Sequence, residues 1–429
     1  MSHTSTPAGS PPTGPTQMQH RSLRALAGLL ERFQVGVLEV ELPDGRTRTF
    51  GPGPGPVAQL RLRDWAVPGA LLRRGSVGLG ETYVDGGWSS PDLVGLLCLL
   101  LDNRPALRHV TPSMLAAVAG ELVRHRLRDN RPGQARRNIS AHYDLSNELY
   151  AAFLDASMTY SCAYFEHEEQ PLEEAQAAKQ RRLAERARIG ADQHVLEIGC
   201  GWGSFAVQLA QERGCRVTGI TLSERQAQVA RERAARHGLT DRVRIEVVDY
   251  RHVTGRYDRI VSVEMLEAVG HRHLGTYFAT LDRLLVDDGL AALQVITIPE
   301  QRYAAYRRRP DFLQRHVFPG GHVPSLTALT QAMGRGSGLV VRELEGIGRH
   351  YAITLRRWRE RFLAAAEQVR GLGFDERFLR LWEFYLAYCE AGFAARQLDD
   401  LQLVLGRPGR ATPVQPRISA ASTHLEAAS

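Results

Sequence analysis

The chain has little with which to build crosslinks, structural metal sites or membrane spans. Its five cysteines are scattered and odd in number. That usage is expected of reduced thiols in a cytoplasm, and no Cys-x-x-Cys pair is present to hold a structural zinc. No apolar run approaches the roughly 20 residues that a bilayer-spanning helix needs; residues 94–101 are the greasiest stretch and far too short. The N-terminal stretch is rich in Ser, Pro and Thr and lacks the charged and apolar regions of a secretory signal. Gly-Lys-Ser/Thr is absent, which counts against phosphoryl transfer through a P-loop. Lysine is scarce too, so the net charge of +7 is carried almost wholly by arginine. Such charge suits an anionic membrane surface, an acidic ligand or a nucleic acid and does not choose among them.

What is present is enough for a large core. The 429 residues, 43% hydrophobic and 24% charged, are ordinary for a globular protein of two domains. Residues 1–18 read as a disordered Pro/Gly/Ser/Thr tail. Residues 21–33 have helical apolar spacing, and 36–50 alternate like a hairpin around Pro43-Asp44-Gly45. A helix start is expected within 78–88 and a helix over 92–101. Together these predict a small α+β domain over 19–125, followed by a basic linker at 126–139. From about residue 140 strand patterns (195–198, 216–221, 244–249, 259–264, 291–298) alternate with helical ones, notably 223–236 and 273–285. This predicts an α/β, doubly wound, Rossmann-like domain over 140–405 with helices on both faces of a parallel sheet and helical additions beyond 356. A flexible tail is expected from 406.

The densest signal is His194 to Phe205, where the apolar stretch 195–198 runs into Gly199, Gly201 and Gly203, with a helical segment after them. Glycines so placed permit positive φ and close approach of backbone to ligand. The helix start offers unpaired N–H groups. Glycines also simply make turns, so later elements must decide. The second strand ends Thr221-Leu222-Ser223-Glu224-Arg225-Gln226, without the acidic residue that usually holds a dinucleotide's ribose. The third ends Asp249-Tyr250, a carboxylate able to accept from an adenine amino group beside an aromatic ring.

With these elements, Glu-Ile-Gly-Cys-Gly-Trp-Gly resembles the S-adenosylmethionine-dependent methyltransferases. Further stretches narrow the likeness: Ser-Ala-His-Tyr-Asp-Leu-Ser-Asn from Ser140, Met-Thr-Tyr-Ser-Cys-Ala-Tyr-Phe from Met158, Val-Phe-Pro-Gly-Gly-His-Val-Pro-Ser from Val317, and His-Tyr-Ala-Ile-Thr-Leu from His350. Over about residues 138–400 the chain resembles the cyclopropane-fatty-acyl-phospholipid synthases and mycolic acid cyclopropane synthases.

That resemblance implies transfer of the sulfonium methyl to a cis double bond of an unsaturated phospholipid acyl chain. Tyr160 and Ser161 would face the cofactor, with Gly199, Gly201 and Gly203 at its amino-acid portion. Thr221 and Gln226 would lie at the ribose, Asp249 and Tyr250 at the adenine. The alkene is a poor nucleophile and must be aligned in a dry pocket. Methylation leaves a carbocation, which aromatic faces stabilise and a base must deprotonate. The family's base is a bound bicarbonate, here implied to lie near Cys162, Glu267, Ile298 and Tyr351. Where the family reads His-Thr-Ile this chain reads Ile296-Thr297-Ile298, so one ligand is missing, with Gln294 and His350 as candidate substitutes. The departure leaves a ring and a methylene or methyl branch both open as products. Cys389 matches a late family cysteine proposed as catalytic; a packing role is favoured for it, and Phe384, Tyr385 and Tyr388 read as core.

The implied setting is cytoplasmic, peripheral at the inner face of an anionic membrane, with no nucleic acid as partner. Arginines at 124–137 and 307–309 would supply the attraction. Nothing in the chain decides between a monomer and a homodimer. A methyltransferase acting on a soluble small molecule and a non-catalytic lipid- or cofactor-binding homologue are the rival readings.

Overall fold

The computed structural model describes residues 14–107 and 146–409. The basic linker, residues 1–13, the first six residues of the 140–147 motif and the tail from 410 lie outside the described residues. Thr16 closes a capping box on the helix Gln17–Leu30, so the helix begins inside the stretch expected to be tail. A carboxylate-free first turn is tolerated because the Thr16 hydroxyl and Gln19 amide satisfy two of the orphan N–H groups. The expected hairpin forms from β1 (Val37–Glu41) and β2 (Thr47–Phe50), with Glu41 opposite Thr47 and Gly45 at φ +83 in the turn. β3 (Val57–Leu62) alternates exposed and buried residues, as a sheet with one wet face requires. With β4 (Trp88–Ser89) the sheet order is β2-β1-β3-β4. Asp92 caps the helix Leu93–Asp102 through Gly95 N–H.

The large sheet runs β10-β11-β9-β8-β5-β6-β7, where β5 is His194–Ile198, β6 Arg216–Thr221, β7 Val243–Val247, β8 Tyr257–Val263, β9 Leu285–Thr297, β10 Val340–Gly346 and β11 Asp399–Gly406. The five strands from β9 to β7 are mutually parallel, as the alternation predicted. β10 and β11 add to the β9 edge antiparallel. β11 corrects the expectation of helix up to 405 and of a tail from 406. Its residues Leu401, Leu403, Val404 and Leu405 are all buried, and a short continuous apolar run reads equally as buried helix or central strand. Apolar cores lie on both faces of this sheet.

The two domains share a third core. The long helix Glu376–Ala394 is packed on one side by Leu93–Asp102 and by Ser76–Val84 from the small domain. Gly80 permits that approach: a Cβ there would stand 2.3 Å from the Phe312 ring and 2.7 Å from Phe384.

Candidate active site

At the carboxyl ends of β5 and β6 the chain leaves a cavity of about 170 Å³. Gly199 and Gly201, at φ +84 and +51, form its floor; the Gly199 and Cys200 N–H groups donate to the Ile220 carbonyl, which folds the loop against β6. Tyr160, Ser161, Thr221, Gln226 and Tyr250 line it, all five as the sequence suggested. The Thr221 hydroxyl donates to Gln226 Oε1 at 2.8 Å, so the pair is pre-oriented. The Tyr250 hydroxyl and Glu197 Oε2 are buried without a partner, and both residues line the cavity.

Two expected cofactor residues sit elsewhere. Gly203 caps the helix Ser204–Arg213 at φ +80 and packs on Ala230, whose Cβ a side chain at 203 would meet at 2.7 Å. The Asp249 carboxylate is clamped by Arg251, with Arg251 Nε donating at 2.8 Å and its N–H at 3.0 Å; it does not line the cavity. A short acidic side chain followed by an arginine two residues on satisfied itself locally.

A second, apolar cavity of about 220 Å³ lies behind the first. Its walls include Ile296, Ile298, Phe318, Tyr351, Leu355 and Phe393, and the small domain contributes Leu101. Tyr385, Tyr388 and Cys389 also line it; Phe384 and Tyr385 are buried in the shared core and Tyr388 packs against that core, so the two tyrosines are both core and cavity wall. Burial holds the Cys389 thiol well above its ordinary range. Tyr160, Glu264 and Ala268 line both cavities. The Tyr160 hydroxyl lies 2.6 Å from that of Tyr385, and Tyr351 stacks on Phe393 at 4.4 Å between centroids.

Glu264, which the sequence reading missed, follows directly on the last residue of β8 at φ +49. A left-handed non-glycine residue costs about 1–2 kcal/mol, and here it turns a carboxylate into the junction. Glu264 Oε1 accepts from Cys162 N–H at 2.8 Å and Gln294 Nε2 at 2.9 Å, and Oε2 from the Tyr351 hydroxyl at 2.6 Å. Behind it Gln294 Nε2 also donates to Asp400 Oδ2. Burial and the neighbouring carboxylates Glu264 and Glu267 hold Asp400 far above its ordinary range, and burial raises Glu264 as well. Lys179, the chain's single lysine, is buried and donates to Ser161 Oγ at 2.7 Å.

The groups implied for bicarbonate are differently engaged. The Cys162 thiol lines neither cavity and faces the Ala163 carbonyl, and burial keeps it protonated. The Ile298 N–H donates to the Pro324 carbonyl. The Ile296 N–H donates to Glu267 Oε1 at 2.6 Å, and Tyr351 donates to Glu264. Glu267 Oε2 is buried without a partner. Every implied donor is already spoken for, and carboxylates face the gap, so these residues do not fit a bound bicarbonate. Neither candidate substitute for the histidine reaches the cavities. Gln294 stands behind Glu264, and His350 Nδ1 accepts from Phe165 N–H with its ring against Tyr164.

Burial first, and then the nearby Glu264 charge, pushes Glu267 up to about 8; burial likewise pushes Glu197 up to about 8. Both therefore keep a proton when folded at pH values where the unfolded chain, near 4.5, has lost it. The folded state binds more protons in that window, so stability falls as pH rises from about 4.5 to about 8. The thermal midpoint is expected to decline across it, and less steeply in Glu267→Gln. A rising midpoint would contradict the burial of these carboxyls.

Among known proteins, the family profile described as Mycolic acid cyclopropane synthetase matches residues 130–403. The tuberculostearic acid methyltransferase UfaA1 of Mycobacterium tuberculosis is 43% identical over 361 residues, 80% of this chain and 82% of the relative. The cyclopropane-fatty-acyl-phospholipid synthase of Escherichia coli is 34% identical over 82% of this chain and 88% of the relative. Among solved structures, the cyclopropane synthase MmaA2 from Mycobacterium tuberculosis superposes with a TM-score of 0.60 at 28% identity, covering 63% of this chain and 98% of that one.

Proposed function

The chain belongs to the mycolic acid cyclopropane synthetase family of S-adenosylmethionine-dependent lipid methyltransferases, and from that premise we propose that it methylates a cis double bond in an unsaturated phospholipid acyl chain, leaving a methylene branch. The observation that carries this reading is the pair of abutting cavities, one glycine-floored and one apolar, that share Tyr160, Glu264 and Ala268. The first fits S-adenosylmethionine. Glu197 Oε2 and the Tyr250 hydroxyl are buried polar atoms awaiting a partner, and at Gly199 a side chain would press on Met265 at 3.0 Å. When bound, this cofactor supplies an electrophilic methyl group.

The chain's own residues do the rest. Tyr160 and Ala268 frame the neck, and the apolar walls of the second cavity hold an acyl chain against it and exclude water, which strengthens every charge interaction there. Faces of Tyr160, Tyr351 and Phe393 surround the place where positive charge develops on the chain. Glu264 adds negative charge to the same wall, and Glu267 adds it as pH rises through about 8. A 1,2-hydride shift moves the cation to the methylated carbon, and loss of a methyl proton to a carboxylate then leaves a C=CH2 group. The similarity to a tuberculostearic acid methyltransferase and the isoleucine in place of histidine at 296 support the branch over the ring.

Membrane docking belongs to the same proposal. Among the described residues no helix is long and apolar enough to cross a membrane. Tyr306 lines the apolar cavity and leads into Arg307, Arg308 and Arg309, all three exposed. Each arginine near an anionic surface contributes about 1 kcal/mol. Incubation with methyl-labelled S-adenosylmethionine and vesicles of monounsaturated anionic phospholipid is expected to label the lipid, less so as salt rises. Fragmentation of the released fatty acids should place a methylene on the chain. A ring-specific fragment would overturn the branch, and an unlabelled lipid fraction despite cofactor binding would overturn the activity.

A further inference from the structure

The mismatch at the implied anion site has its own content. Two groups that the resemblance gives to bicarbonate, the residue at Cys162 and the Tyr351 hydroxyl, converge on a side chain of this protein. Glu264 takes the Cys162 N–H on one oxygen and the Tyr351 O–H on the other. Gln294, in the middle of the β9 segment that pairs with β11 and opposite Gln402, braces the first oxygen and is itself held by Gln402. A carboxylate accepting three hydrogen bonds in a fixed orientation is a built anion, planar like bicarbonate and presenting two oxygens as one edge of it does, and it lines both cavities.

We propose that Glu264 replaces the bicarbonate of related enzymes and is itself the base that deprotonates the methylated acyl chain. The proposal rests on the acyl-methylation reading above. In the step, a methyl C–H bond breaks, its electron pair forms the new carbon–carbon bond that discharges the cation, and the proton goes to a Glu264 oxygen. No external anion is consumed. The strained backbone at 264 fits this role, because a residue directly after β8 with ordinary φ would not turn its carboxylate into the junction while still meeting Cys162 and Tyr351. Burial raises the proton affinity of Glu264, and the hydrogen bonds from Tyr351, Cys162 and Gln294 oppose that and favour the carboxylate.

Two readouts test this, one of them independent of turnover. Binding of 13C-labelled bicarbonate, followed by NMR, is expected to be absent in the wild type and to appear in Glu264→Ala, where the vacated donors of Cys162 and Tyr351 face a cavity. Turnover of labelled S-adenosylmethionine with monounsaturated vesicles is expected to be the same in carbonate-free and bicarbonate-supplemented buffer. Glu264→Gln should lose about a hundredfold or more in turnover, and Glu264→Ala should regain part of its loss on adding bicarbonate or formate. Wild-type activity that needs bicarbonate, bicarbonate binding to the wild type, or full turnover in Glu264→Gln would each overturn the assignment. Absence of wild-type turnover on any acyl lipid, with the binding pattern intact, would instead remove the acyl-methylation reading and leave Glu264 as the resident anion.

Discussion

Glu267→Gln is expected to lower turnover by about a hundredfold or more while cofactor affinity stays nearly unchanged. The separation follows from position: Glu267 lines the apolar cavity and not the glycine-floored one. Glutamine keeps the Ile296 N–H bond through its amide oxygen, so the fold survives. At the place of the partnerless Oε2 it puts an NH2 group. That replaces a carboxyl that gives up its proton at about 8 and then carries negative charge with a group that stays a donor, in a buried site beside the developing carbocation where such charge terms are large. The check is a calorimetric titration with S-adenosylmethionine beside a label-transfer assay. A large loss of cofactor affinity would show that Glu267 reaches the other cavity.

The glycine loop yields the second large effect. In Gly203→Val the side chain must enter space where Ala230 Cβ and Cα lie at 2.7 and 3.0 Å, and its backbone holds φ +80. Left-handed strain of about 1–2 kcal/mol and overpacking of about 1–3 kcal/mol add to a substantial part of a domain's stability of about 5–15 kcal/mol. Gly201→Ala meets no protein atom within 4 Å, so it bears the left-handed strain alone, but its methyl group points into ligand space. Gly203→Val is expected to lose several degrees or more of thermal midpoint, and Gly201→Ala to keep its fold and lose cofactor affinity by tenfold or more, about 1.4 kcal/mol. Thermal melts paired with titrations separate the two. Wild-type affinity in Gly201→Ala would mean that the cofactor does not lie on the loop.

Three glycines at alternate positions look equivalent in the sequence, and this contrast shows how they differ. The parallel strands were legible because burial on both faces makes them continuous apolar runs between helical patterns. β11 was misread because the same run, standing after a long helix, carries no periodicity to separate strand from helix. Motif residues such as Thr221 and Gln226 came together at the cavity because one ends β6 and the other lies in the first turn of the helix that follows it; Tyr160 reaches it from the irregular segment before the first strand of the large sheet. Asp249 did not, because Arg251 two residues on competes for its carboxylate. Glu264 was invisible for a different reason. Its role depends on a left-handed backbone and on partners about 100 residues before it and 87 after it, and a glutamate three residues ahead of another reads only as a second helical or turn carboxylate.

Lys179 carries a last consequence. Burial lowers its tendency to hold a proton, while Glu264 and Asp400 raise it; Glu197 is in turn drawn down by Lys179. One ammonium thus serves three enclosed carboxyls whose proton affinities burial has raised. Near neutral pH the shortfall of cation is made up by protons. A ligand that brings a fixed positive charge beside Glu197 displaces its proton, so its binding is an exchange of one cation for another. Uptake of a sulfonium is then linked to proton release and strengthens as pH rises, and departure of the neutral thioether draws a proton back in.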